Sequence, residues 1–193
     1  MIAADAGADR IELCADPLQG GVTPSIGMIE AAMELGLPVF PMIRPRGGNF
    51  QYDTDELDVI WRDIRACRDL GCAGIVTGAM RADGTIDEEL MKRIVERAGP
   101  MAVTCHKAFD QVRDASSGLE TLIGAGCSRV LTSGLQDTAL KGSWTIKWLI
   151  DQAGCRIAVM PCGGVRSAHI ADLIAGTVAT EYHGSAIPVD ARD

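Results

Sequence analysis

A parallel α/β barrel built from repeated βα units is the fold class this sequence predicts, and three observations predict it. Seven times a glycine closes a helix-like stretch and a short apolar strand follows: Gly7, Gly36, Gly71, Gly99, Gly126, Gly154 and Gly176. The strands read as 10–14 (RIELC), 39–43 (VFPMI), 74–77 (GIVT), 101–105 (MAVTC), 129–132 (RVLT), 157–161 (IAVMP) and 179–183 (ATEYH). Glycine reaches the left-handed conformation that ends a helix, so a glycine just before a strand marks an αβ junction. The spacing, roughly 28 residues, is the second observation, since alternating helix and strand at a fixed period identifies repeated βα units. Third, no linker, low-complexity tract or composition break divides the 193 residues, so 1–193 reads as a single domain. A (β/α)8 barrel has eight strands in about 250 residues, so this chain shows seven strands of an eight-stranded barrel. An open doubly wound sheet is the alternative, and the regular repeat favours the barrel.

Each intervening segment carries helical signals. Residues 25–35 place Ile26, Ile29 and Met33 at helical spacing, with Pro24 at the start. Residues 55–70 place Leu57, Ile60, Ile64 and Cys67 on one face, with Asp53, Thr54 or Asp55 as the cap. Asp87 opens the segment to Ala98 in the same way, and 115–125, 139–152 and 167–175 complete the set.

Composition bounds the function. With a net charge of −8, a general nucleic-acid binder is excluded, because that role needs a basic surface. No run of 18 apolar residues and no signal-peptide pattern is present, so no membrane partner and a cytoplasmic location are expected. Seven cysteines, an odd number scattered through strands and helices, read as reduced thiols.

Barrels of this kind keep their chemistry at the C-terminal ends of the strands. Side-chain alternation puts Glu12 with Cys14, Met42 with Arg44, Thr104 with His106, and Glu181 with His183 on one face. The candidate catalytic group is therefore His106 as base, Glu12 and His183 as partners, and Asp110 as orienting carboxylate. Lys107 has the opposite parity to His106. Arg44 and Arg46, flanking a proline before two glycines, are candidate anion clamps. Gly163 and Gly164 after the sixth strand, and Gly184 and Ser185 after the seventh, stand where barrels bind phosphate with backbone N–H groups. The competing reading is a network of ion pairs plugging an inert mouth.

GADRIELC (7–14), GGVTPSIG (20–27), PVFPMIRPRGGNF (38–50), DGTID (83–87), HKAFD (106–110), RVLTSG (129–134), MPCGGV (160–165) and EYHGSA (181–186) together resemble the CutC family. The resemblance implies a TIM barrel, cytoplasmic and homodimeric, with a proposed part in copper homeostasis. Relative to the family the opening strand and most of the tail are missing, so the chain reads as truncated at both ends. Lys107 replaces a customary arginine and Cys162 a customary glycine. For copper, soft thiolates suit Cu(I), and Cys14, Cys105 and Cys162 at strand ends are the candidate ligands. Three functions follow: a copper-binding homeostasis protein, an enzyme on a small anionic or phosphorylated metabolite, or a clipped, inactive family member.

Overall fold

The computed structural model describes residues 2–185. It contains α1 (Ile2–Asp5), β1 (Ile11–Leu13), α2 (Ile26–Met33), β2 (Val39–Pro41), α3 (Thr54–Asp69), β3 (Gly74–Thr77) and α4 (Glu88–Ala98). Then follow β4 (Ala102–Cys105), α5 (Ala115–Ala125), β5 (Arg129–Thr132), α6 (Ser143–Ala153), β6 (Ala158–Pro161) and α7 (Ile170–Thr177). Helix starts follow the local chemistry. Asp53 caps α3 in a reciprocal capping box with Glu56, and Asp87 and Asp114 cap α4 and α5 by accepting from Leu90 and Ser117 N–H.

All strand pairs are parallel and follow sequence order. β1 pairs with β2, β3 to β6 form a second run, and a bridge from Met42 to Val76 joins the two. A doubly wound sheet would reverse strand order at a switch point. None occurs among the described residues, so the arrangement is TIM-barrel-like.

Alternation divides the core into two layers. Phe40, Val76, Leu131, Met160 and Cys162 fill the barrel interior, with Met42 and Ala102 packed on them. Their alternates, including Ile43, Ile75, Val103, Val130 and Val159, belong to the larger layer that meets the helices. Gly74 makes the interior possible: a Cβ there would lie 2.1 Å from Phe40 Cε1 and 2.5 Å from the Ala102 carbonyl oxygen.

The expected seventh strand, 179–183, does not form. Six of the seven pacing glycines have positive φ; Gly176 instead lies within α7, and Val178 ends that helix at φ 53°. The next residues satisfy themselves locally. Ala179 N–H donates to Thr177 Oγ1 at 3.3 Å, and Tyr182 Oη donates to the Ala179 carbonyl at 2.8 Å. One bond joins the segment to β6, from His183 N–H to the Pro161 carbonyl at 3.0 Å.

Candidate functional site

His106 follows β4 at the strand end and opens a 3-10 turn, Lys107–Gln111. Its Nδ1 accepts from the Ala108 N–H at 3.2 Å. In the neutral ring the proton therefore resides on Nε2, which is buried and has no partner. Burial, and secondarily the Arg44 cation, push the imidazole pKa down to about 3. His106 is thus neutral at physiological pH and presents an N–H rather than the proton-accepting nitrogen expected of a base. The ring packs on Phe50 with centroids 4.7 Å apart. Gly78 leaves it room, since a Cβ there would lie 2.7 Å from Nδ1 and Cε1.

Arg44 is buried beside it, its guanidinium carbon 4.8 Å from the Phe50 ring centre. Its Nη1 donates to the carbonyls of Gln19 and Gly21 at 2.8 and 3.0 Å, and Nη2 to Gly48 at 2.8 Å. The fork expected to clamp an anion is thus engaged by loop backbone. Of its three nitrogens only Nε, which is buried, makes no hydrogen bond. Arg46 lies farther out, paired with Glu56 and donating to the Asn49 and Gln51 carbonyls at 2.9 and 2.7 Å. It fastens the loop to the start of α3 rather than pointing a free cation into the mouth.

Glu12 faces the interior from β1, its Oε2 3.0 Å from His183 Nδ1, while Oε1 is buried and without a partner. Asp110 orients a loop instead of His106. It accepts from Thr132 Oγ1 at 2.5 Å, Ser133 N–H at 3.0 Å, Ser133 Oγ at 2.8 Å and Leu135 N–H at 3.2 Å. Lys107 does not follow the parity expected of it, because the 3-10 turn begins there and strand alternation ends. Its Nζ stands 3.5 Å from Asp110 Oδ2, and a Cβ on Gly163 would lie 3.2 Å from it.

Gly163 and Gly164 both have positive φ, 89° and 70°. Their carbonyls accept from Ala139 N–H and His169 Nε2, and neither N–H donates to a backbone carbonyl or side chain among the described residues. Successive N–H groups in such a turn form an anion-binding concavity. Gly184 runs alongside, where a Cβ would be 4.0 Å from the Val165 carbonyl oxygen, and Ser185 is exposed next to it.

The three candidate thiols do not converge. Cys14 and Cys162 face the interior, whereas Cys105 points outward into the helix-packing layer. Alternation is the reason, since Cys105 neighbours the inward-facing Thr104 and His106. Burial raises all three thiol pKa values, with Glu12 adding to the effect at Cys14. Among the described residues no three His, Cys, Asp or Glu side chains are grouped to hold a metal, and all seven cysteines are free thiols.

Glu181, expected at the mouth, lies at the opposite end of the strands. It pairs with Arg10 and accepts from Arg129 Nε at 2.8 Å. The sequence reading missed Phe50, on which His106 and Arg44 meet, and Tyr52, whose hydroxyl donates to the Gly78 carbonyl at 3.3 Å. Burial pushes the Tyr52 pKa up to about 12. An aromatic pair two residues apart after RPRGG was the available signal.

A sequence profile of the CutC family matches residues 1–188. The chain belongs to the CutC family. It is 46% identical over 188 residues to a CutC family protein of Mesorhizobium japonicum, covering 97% of this chain and 73% of that one. Identity to the mouse copper homeostasis protein cutC homolog is 48% over 181 residues, covering 93% of this chain and 66% of the mouse protein. The chain thus spans about two thirds to three quarters of the length of these CutC relatives. The crystal structure of CutC from Streptococcus agalactiae superposes with a TM-score of 0.88 at 31% identity, covering 93% of this chain and 90% of that one. A deoxyribose phosphate aldolase from Aeropyrum pernix matches at a TM-score of 0.71 and 18% identity, covering 95% and 76% of the two chains, and so shares the fold alone. No helix among the described residues is long and apolar enough to cross a membrane.

Proposed function

We propose that this CutC family chain acts in copper homeostasis, the role its mouse and human relatives are named for, through a binding site for a small anionic ligand at the barrel mouth. The observation that carries this reading is the buried, unpartnered Nε2–H of His106. A buried donor without an acceptor costs about 1–3 kcal/mol, and a ligand oxygen would recover it. Arg44 Nε–H, Lys107 Nζ and the N–H groups of Gly163 and Gly164 supply further donors. Glu12, with one free carboxylate oxygen and His183 on the other, is the group suited to accept a proton from a bound hydroxyl.

Thermal unfolding with inorganic phosphate, pyrophosphate and small sugar phosphates tests the reading. A ligand at 100 times its Kd adds about 2.7 kcal/mol, which raises Tm by about 8 °C in a chain this size. His106→Phe is expected to abolish the rise. An unchanged rise in His106→Phe, or no rise with any of these anions at millimolar concentration, overturns it.

One observation favours a second reading, in which Cu(I) is cargo at the mouth: Cys14 and Cys162 face the same interior, as does the thioether of Met42. Equal Cu(I) retention by Cys14→Ser/Cys162→Ser and the unmodified chain would remove it.

A further inference from the structure

Helices α3 and α4 pack side by side outside the barrel and leave a groove between them that concentrates positive charge. The groove, about 360 Å³ in volume, is lined by Arg62, Arg65, Arg68 and Arg97 around Trp61, and Asp58 is the one carboxylate among its lining residues. That volume lies in the range of small-molecule sites, roughly 300–1,000 Å³. The arginines gather in a chain whose net charge is −8. Helical spacing aligns them, since 58, 61, 65 and 68 share one face of α3, and 93 and 97 one face of α4. The guanidinium carbons of Arg97 and Arg93 stand 4.5 and 5.2 Å from the centre of the half-buried Trp61 ring. Arg62 pairs with Asp58 at 2.8 Å, Arg68 lies 3.9 Å from Asp69, and Arg68 Nη1 donates to the Arg97 carbonyl at 3.1 Å. Arg65, Arg93 and Arg97 have no carboxylate partner among the described residues. Like charges three and four residues apart on a helix repel and destabilise it. The bare cluster therefore opposes folding, and a multiply charged anion seated among the arginines turns that repulsion into attraction.

We propose that the α3–α4 groove binds a chain of linked phosphates, as carried by a nucleoside triphosphate or by inorganic polyphosphate. Guanidinium forks match phosphate oxygens two at a time. Arg62 and Arg68 lie about 9 Å apart along the helix axis, too far for one phosphate to engage both and within the span of several linked ones. Cation–π attraction already holds Arg93 and Arg97 over Trp61, which reduces the side-chain freedom lost when they engage an anion. The groove shares no residue with the mouth, so either site can fail alone.

Calorimetric titration of the full chain with tripolyphosphate, ATP and orthophosphate tests this. Emission of Trp61, read in Trp144→Phe/Trp148→Phe, locates the binding, because those two exposed residues are the other tryptophans of the chain. Tripolyphosphate is expected to change Trp61 emission saturably, and to bind more weakly as NaCl is raised. Arg65 and Arg97 are exposed, so Arg65→Gln/Arg97→Gln keeps the fold; its Kd is expected to rise about tenfold or more, while His106→Phe leaves Kd unchanged. ATP binding tighter than tripolyphosphate assigns the linked phosphates to a nucleotide, and equal or weaker ATP binding assigns them to inorganic polyphosphate. An unchanged Kd in Arg65→Gln/Arg97→Gln, no Trp61 response at millimolar tripolyphosphate, or orthophosphate binding as tightly as tripolyphosphate overturns the proposal. Loss of binding in His106→Phe alone also overturns it, and assigns the anion to the mouth.

Discussion

Replacing Asp110 with alanine should damage the site more than any other single carboxylate change, and the structure gives the size of the effect. Its Oδ1 accepts from Thr132 Oγ1, Ser133 N–H and Leu135 N–H. Thr132 and Ser133 are fully buried, so water cannot replace the lost acceptor at either. Three donors stranded at about 1–3 kcal/mol each, less partial relaxation, put the cost near 4 kcal/mol. For a chain of this length that lowers Tm by about 12 °C. Asp110→Asn should behave differently. Its amide oxygen can keep the Oδ1 bonds, and its NH2 can donate to Ser133 Oγ, which already reaches the Gln136 carbonyl at 2.5 Å. About 1 kcal/mol is then lost, mostly the charge assistance of the bonds. Urea unfolding of the three proteins measures the difference. Equal destabilisation by alanine and asparagine would mean that charge, not hydrogen-bond satisfaction, is what the loop requires. A loss below about 1.5 kcal/mol in Asp110→Ala would refute the burial argument itself.

His106 makes stability depend on pH. Its folded pKa, about 3, lies below the ordinary histidine value of 6.5, so the unfolded chain binds the proton first and stability falls as pH drops through that window. The slope approaches about 1.4 kcal/mol per pH unit, and His106→Gln should flatten it in unfolding curves between pH 6.5 and 4. Gly74→Ala would drive a methyl group into the Phe40 ring and the Ala102 carbonyl. A loss of at least about 3 kcal/mol in urea unfolding is expected. Gly78→Ala meets the His106 ring first and then the Ala108 methyl; it should shift the imidazole and weaken phosphate binding with a smaller stability change, read by thermal unfolding with and without phosphate. Glu181, held below the usual carboxylate range despite its burial by hydrogen bonds from Arg129 and Arg10, stabilises the fold above about pH 4.5 and ceases to as pH falls further. Glu181→Gln should remove that acid-side loss in calorimetry.

What the sequence disclosed was whatever depends on period and on local chemistry. Two-residue alternation places Phe40, Met42, Val76, Thr104 and His106 on the inner face, and an aspartate before an apolar period marks the helix starts at Asp53, Asp87 and Asp114. What it hid depends on distance in the chain. Nothing near Arg44 announces that its donors go to Gln19, Gly21 and Gly48, because those carbonyls come from two other loops. Lys107 was misplaced because parity holds only while the strand lasts, and the 3-10 turn starts at that residue. Nothing in the period links Cys67 and Cys72, since five residues apart matches no helical or strand repeat. Only the turn closed by Gly71 joins them, through a bond from Cys72 N–H to the Cys67 carbonyl.

Gly176 explains the remaining error and what replaces the missing strand. A glycine at a helix end predicts a strand only if it is the terminating residue; here the helix runs past it and stops at Val178. The chain beyond is joined to β1, β5 and β6 by side-chain bonds and one backbone bond instead of a ladder. Glu181 draws Arg10, ahead of β1, and Arg129, at the start of β5, onto one carboxylate, and both guanidinium groups lie over the Phe40 ring at 5.8 and 5.5 Å. Two residues later His183 meets Glu12 near the mouth. Because Glu181 and His183 share one extended segment, the ion cluster at the base fixes where His183 stands, and through it the orientation of the Glu12 carboxylate. The ion cluster around Glu181 and the placement of the Glu12 carboxylate are therefore coupled through one short extended segment.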